Sequence, residues 1–181
     1  MKAMKKLNEK EIIRIFRQKK NIAEDVELFH LGKELCATNI DTLVESTDIP
    51  AKSDFVDIAR KSVVSSVSDF AAKGIIPKFC IISVTIPKTL SKNQITKMAT
   101  GFRKACNEFD LKLLGGDTNE GKEIVIHVVL FGKASKIVPR SGARNGDIII
   151  TTGAFGYTSS ALQILLKKKK STKKFSNIAK T

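Results

Sequence analysis

A mixed α/β domain is what the sequence predicts, and three observations carry that expectation. Apolar positions recur at helical spacing in some stretches and alternate or run together at strand spacing in others, the two kinds taking turns along the chain. The helical stretches open at Asn or Ser, whereas the strand-like ones are rich in Ile, Val and Phe and stop near Pro or Gly. Hydrophobic residues make up 42% of the 181, enough for a real core in one domain or one and a fraction. The pairing of the strands is left open.

Asn8 with Glu11 has the form of a capping box and opens a helix to about Lys19, whose Ile12, Ile15 and Phe16 line one face. Strands are expected over residues 26–29 and 34–40. After Pro50, Ser53 caps a helix running to Lys73 with Gly74 as its stop; its inner stripe is Phe55, Ile58, Ala59, Ser62, Val63, Ser66 and Phe70. Residues 79–86 read as a strand closed by Pro87. Ser91 with Gln94 caps the next helix, to about Phe109, with Ile95, Met98, Phe102, Cys106 and Phe109 inward. Strands over residues 111–114, 124–131 and 147–152 follow, and a last helix starts near Thr158. Two strands, over residues 79–86 and 124–131, are apolar beyond simple alternation, so both sheet faces call for cover.

Composition excludes several classes. The three cysteines, Cys36, Cys80 and Cys106, are an odd number without a CxxC, which argues against a disulfide framework and for a reducing cytoplasm. With only His30 and His127, a zinc site is not expected. No apolar run approaches a membrane span, and no apolar stretch follows the N-terminal lysines as in a signal peptide. The net charge of +14 invites a nucleic-acid reading, but residues 1–20 hold eight Lys or Arg against two Glu, and residues 167–181 hold seven Lys and no acid. The body between them is nearly neutral. No aromatic residues interleave the lysine run at 167–170, 173 and 174, and Trp is absent, so a solvated tail is favoured over an RNA-binding one.

The chemistry-bearing pattern centres on Leu113-Leu114-Gly115-Gly116-Asp117-Thr118, where an apolar strand runs into two glycines and a carboxylate. Glycines let a phosphate approach bare backbone N–H groups, and Asp117 can hold the Mg²⁺ that neutralises it. Taken alone, the same residues describe an ordinary tight turn. Asp41 at the end of one strand and Asp69 near a helix end add two carboxylates where clefts form. A cluster of Asp around Mg²⁺ with one Arg is a sufficient toolkit for phosphoryl transfer. Arg140 is the clamp such a site needs; its structural alternative is a turn Arg paired with Asp147. No GxxxxGK[ST] is present, which excludes a P-loop.

The Ser68-Asp69-Phe70-Ala71-Ala72-Lys73-Gly74 helix end, the Gly115-Gly116-Asp117-Thr118 turn and the Arg140-Ser141-Gly142-Ala143-Arg144-Asn145-Gly146-Asp147 segment, with Asp41 and Thr151-Thr152-Gly153 in order, resemble the N-terminal half of the thiamine-monophosphate kinase family. That family lies within the aminoimidazole ribonucleotide synthetase-like superfamily, and the match spans roughly residues 8 to 165. The resemblance implies transfer of the ATP γ-phosphate to thiamine monophosphate, giving thiamine diphosphate and ADP. It implies Asp25, Asp41, Asp69 and Asp117 as Mg²⁺ ligands, Gly116, Asp117 and Arg140 at the nucleotide, Asp117 and Arg140 in catalysis, and Asp48 near the substrate. It also implies a homodimer whose N-terminal strands share a barrel. Residues 1–140 correspond to the ATP- and Mg²⁺-binding domain and 141–181 to the start of a C-terminal domain that ends in the lysine tail. Members continue into that domain, which carries most of the thiamine pocket, so a truncated form that binds nucleotide weakly and turns over negligibly by itself is expected.

This chain departs from the family pattern at Ala23-Glu24-Asp25, where Gly-Asp-Asp is usual, and at Ile40, where many members place a hydroxyl. Asp48 stands where many bacterial members have His. Three classes of function stand: the kinase or an ATP-dependent relative such as aminoimidazole ribonucleotide synthetase, a non-catalytic nucleotide-binding or dimerising module, and an RNA-associated protein using the basic ends.

Overall fold

The computed structural model describes residues 9–16, 24–151, 153, 155–167, 170–173 and 175. Its elements are α1 (Glu9–Phe16), β1 (Glu27–Leu31), β2 (Glu34–Val44), α2 (Glu45–Asp48), α3 (Phe55–Ala72), β3 (Phe79–Ile86), α4 (Lys92–Glu108), β4 (Lys112–Glu120), β5 (Val125–Lys133) and α5 (Tyr157–Lys167). The five strands form one mixed sheet in the order β1-β2-β5-β3-β4, antiparallel at every junction except the parallel pair β3 and β4. A parallel neighbour needs a crossover, and α4 provides it.

The strand that comes last in sequence lies in the middle of the sheet. β5 is buried at every second residue, with Ile126, Val128 and Leu130 at 0% exposure, because one of its faces lies under the helices. α3 buries Ile58, Ala59, Val63 and Phe70, as its stripe predicts, in its packing against β2, β5 and α4. Its buried Ser66 keeps its hydroxyl satisfied by donating to the Val128 carbonyl at 3.1 Å. α4 lies alongside α3 at a glycine: a Cβ at Gly101 would stand 2.4 Å from the Val56 carbonyl oxygen, so only a residue without one lets the helices come this close. Arg60 clamps Glu108 through two hydrogen bonds, at 2.9 and 2.7 Å, across the same pair.

The other face of the sheet carries an apolar band and, among the described residues, is largely uncovered. Ile40 is 64% exposed and Phe79 42%, and register places Val129 between Ile40 and Ile81, and Phe131 beside Phe79.

Several sequence expectations shift. The cap of α3 is Asp54, which accepts from the Val56 N–H, rather than Ser53. The Ser91–Gln94 capping box is present as expected, but Ile95 is 41% exposed. β2 runs on to Val44 because β5 pairs with it throughout, so Asp41 lies within a strand instead of ending one. β4 likewise runs through the Gly115-Gly116-Asp117 segment, which is therefore no turn. Residues 147–151 form no strand: a ladder needs a partner and none of the described strands reaches them, leaving Ile148, Ile149 and Ile150 at 84–94% exposure. Asn8, Lys19, Ala23, Thr152 and much of the lysine tail lie outside the described residues.

Candidate active site

The C-terminal end of α3 meets the middle of β2 on the helix-covered side of the sheet, and here most of the expected acidic residues gather. Asn39 sits 7% exposed beneath α3, its amide nitrogen donating to the Ser66 carbonyl at 3.0 Å and to the Asp69 carboxylate at 3.3 Å. Its buried Oδ1 has no hydrogen-bond partner. Two residues along the same strand, and so on the same face, comes Asp41. Burial raises Asp69 above the ordinary carboxylate range, and the negative charges of Asp41 and Asp25 push the same way; the Asn39 hydrogen bond and Arg140 oppose them.

Asp25, just before β1, is held by two cations. Lys73, the C-cap of α3, is 2% exposed; its ammonium bonds Glu24 and lies 3.1 Å from Asp25. Arg140, on the irregular segment after β5, donates to Asp25 from Nη2 and, at 3.1 Å, from Nε, while its backbone N–H reaches Glu24 at 3.4 Å. Hydrogen bonding to Arg140 holds Asp25 below its ordinary value, and hydrogen bonding to Lys73 does the same for Glu24. The same contacts raise Lys73 and Arg140. Lys73 also stands at the negative end of the α3 dipole. Arg140 is thus paired with Asp25 and not with Asp147, which accepts from the Arg144 backbone N–H at 2.8 Å.

Asp117 is placed elsewhere in the chain. It lies on edge strand β4, separated from β2 by β5 and β3, about 14 Å at ~4.8 Å per strand. Residues 115–118 line a cleft of about 370 Å³ against α4, with Ile82, Met98, Phe102 and Leu113. Gly116 is there for packing: a Cβ would stand 1.6 Å from the Ile82 carbonyl oxygen, next to a register shift between Cys80 and Ile81. Gly116→Ala is accordingly expected to prise β4 from β3 and cost about 1–3 kcal/mol or more. A chemical denaturation midpoint unchanged from the parent would refute this. Asp48 accepts from the Val44 N–H at 2.8 Å and its carbonyl accepts from Lys61, so it braces α2.

Among the described residues no three His, Cys, Asp or Glu side chains cluster tightly enough to enclose a metal ion alone. The donor set nevertheless fits Mg²⁺, which takes oxygen ligands, keeps several waters and is commonly bound through one or two carboxylates plus substrate phosphates. Asp69, raised first by burial and then by the charges of Asp41 and Asp25, is a carboxylate whose charged form a bound cation would stabilise. Lys73, with its pairing to Glu24, and Asn39 are what sequence reasoning missed. Lys73 had a signal: it follows Asp69 by four residues at a helix end, which places both on one face.

The family described as AIR synthase related protein, N-terminal domain, matches residues 23–134. The thiamine-monophosphate kinase of Nitrosopumilus maritimus is 55% identical over 175 residues, 95% of this chain and 56% of that protein. That of Pyrococcus horikoshii is 32% identical over 167 residues, 91% of this chain and 54% of its own length. Among solved structures, AaThiL complexed with AMPPCP and TMP superposes with a TM-score of 0.86 at 25% identity, covering 99% of this chain and 60% of that one. The chain spans about half the length of the curated relatives it matches.

Proposed function

Because this chain belongs to the AIR synthase related protein family through its N-terminal domain, we propose that it is the nucleotide- and Mg²⁺-binding part of a cytoplasmic thiamine-monophosphate kinase. The observation that supports this most is the convergence of Asp25, Asp41 and Asp69 with Arg140 at the end of α3, in a chain more than half identical to a kinase of that name. Residues 1–140 form the ATP-binding domain in this reading, and 141–181 begin the next.

Phosphoryl transfer needs charge neutralised and two oxygens brought into line. Mg²⁺ supplies the neutralisation when bound. Asp25, Asp41 and Asp69 would supply carboxylate oxygens to it, with the phosphates and water completing its shell, and Arg140 would bring its guanidinium to the transferred phosphoryl group. The distance from β2 to β4 means that Asp117, with Gly116 beside it, joins this set only through a second ion or through the nucleotide spanning the gap. A phosphate oxygen of thiamine monophosphate attacks the γ-phosphorus of ATP and the bond to the β-phosphate oxygen breaks, leaving ADP and thiamine diphosphate. Asp48 lies on the acceptor side. Two copies pair through the uncovered sheet face, for which Ile40, Phe79 and Phe131 supply the apolar surface.

A chimera tests the reading directly, with this chain replacing the matching part of the Nitrosopumilus relative. Thiamine-monophosphate-dependent ADP release, lost in Asp41→Asn, is the expected result. Nucleotide binding without transfer would instead mark a binding module.

A further inference from the structure

Asp25 is held by two cations that are anchored very differently. Lys73 is 2% exposed, fixed at the end of a helix and bonded also to Glu24. Arg140 is 56% exposed and belongs to an irregular segment, and the contacts that fix it here are those to Asp25 and Glu24. A carboxylate offers about four lone-pair sites, and a two-pronged guanidinium plus an ammonium occupy most of them. A divalent cation arriving at Asp25 must therefore take a position from one of the two, and burial makes Lys73 the one that stays.

Resting on the reading that Asp25 is a Mg²⁺ ligand, we propose that Arg140 is a displaceable counter-ion. It satisfies Asp25 before the divalent cation arrives, yields that carboxylate to the ion, and turns its freed guanidinium to the phosphates that arrive with it. Arg140 then does two opposed things, competing with the metal and assisting the nucleotide. Because each ligand releases or captures the same side chain, metal and nucleotide bind with positive coupling, and the coupling is reciprocal.

The signature is a substitution with effects of opposite sign. In the absence of nucleotide, Arg140→Ala and Arg140→Gln should bind Mn²⁺ about fivefold more tightly than the parent, the scale of one partly exposed ion pair. In saturating Mg²⁺ both should bind a non-hydrolysable ATP analogue more weakly. Arg103→Ala, which removes one exposed charge from α4, should change neither. Calorimetric titration of the 181-residue chain with Mn²⁺ reads the first effect without any turnover. Unchanged or weaker Mn²⁺ affinity in both Arg140 variants overturns the inference, as does absence of Mn²⁺ binding, or binding that Asp25→Asn leaves intact. Failure of the chimera to make thiamine diphosphate is a separate result, since the Mn²⁺ ratio involves neither substrate.

Discussion

Replacing Phe70 with Ala is expected to lower the unfolding free energy by about 3–5 kcal/mol, the cost of removing a fully buried aromatic side chain from a core that relaxes only partly. Phe70 is 0% exposed in the last turn of α3, and its ring packs where Gly132 of β5 leaves room: a Cβ there would stand 3.0 Å from a ring carbon. The ring thus fastens onto the central strand the one turn of helix that carries both Asp69 and Lys73. Urea unfolding gives the loss directly, and a change below about 1 kcal/mol would show that the site has a different anchor. Nucleotide affinity should fall as well, because positioning is lost with the packing.

Asp69→Asn is expected to do the reverse of Phe70→Ala to stability while harming function more. The folded-state value of Asp69 is raised, so its charged form is disfavoured by folding and the stability it withholds at neutral pH returns as the group is neutralised. Asparagine is neutral at every pH and still accepts from Asn39, so the melting temperature measured without metal should equal or exceed that of the parent. Mg²⁺-dependent nucleotide affinity should drop by about 100-fold or more, the upper end for losing a group that supports a metal site. A variant that melts lower and binds as before would assign Asp69 a structural part only. Gains in stability on neutralising a functional residue are a recognised mark of a site held in tension for its ligand.

Local chemistry made much of the fold legible. The Ser91 capping box, the α3 stripe and the run from Phe79 to Ile86 each carry their own period or end signal, and all three are found where that signal puts them. What stayed hidden depends on partners far away in sequence. β2 extends through Asp41 because β5 pairs with it some 85 residues later, and Gly115-Gly116 lies in a strand because β4 must pass close to the Ile82 carbonyl. Of the candidate site, the motifs were legible in the sequence and the geometry was not. Asp25 was named by resemblance alone and Asp41 and Asp69 by position as well, whereas the pairing of Arg140 with Asp25 joins residues 115 apart and leaves no trace in periodicity. Lys73 escaped notice because its spacing from Asp69 gives only a shared helix face, and buried lysines are rare.

The central place of β5 also has a consequence in time. The strand that joins β2 to β3 is the last of the five to be made, so the β1–β2 and β3–β4 pairs have nothing to link them into one sheet until residue 133 has been added. At typical synthesis rates of about 5–20 residues per second, roughly 2–10 s separate completion of β3 from completion of β5. Through that interval the inner face of α3 lacks β5, one of the two strands it settles on. A nascent chain halted before Val125 is therefore expected to be cut readily by protease across residues 34–86, and one halted well past Lys133 to resist.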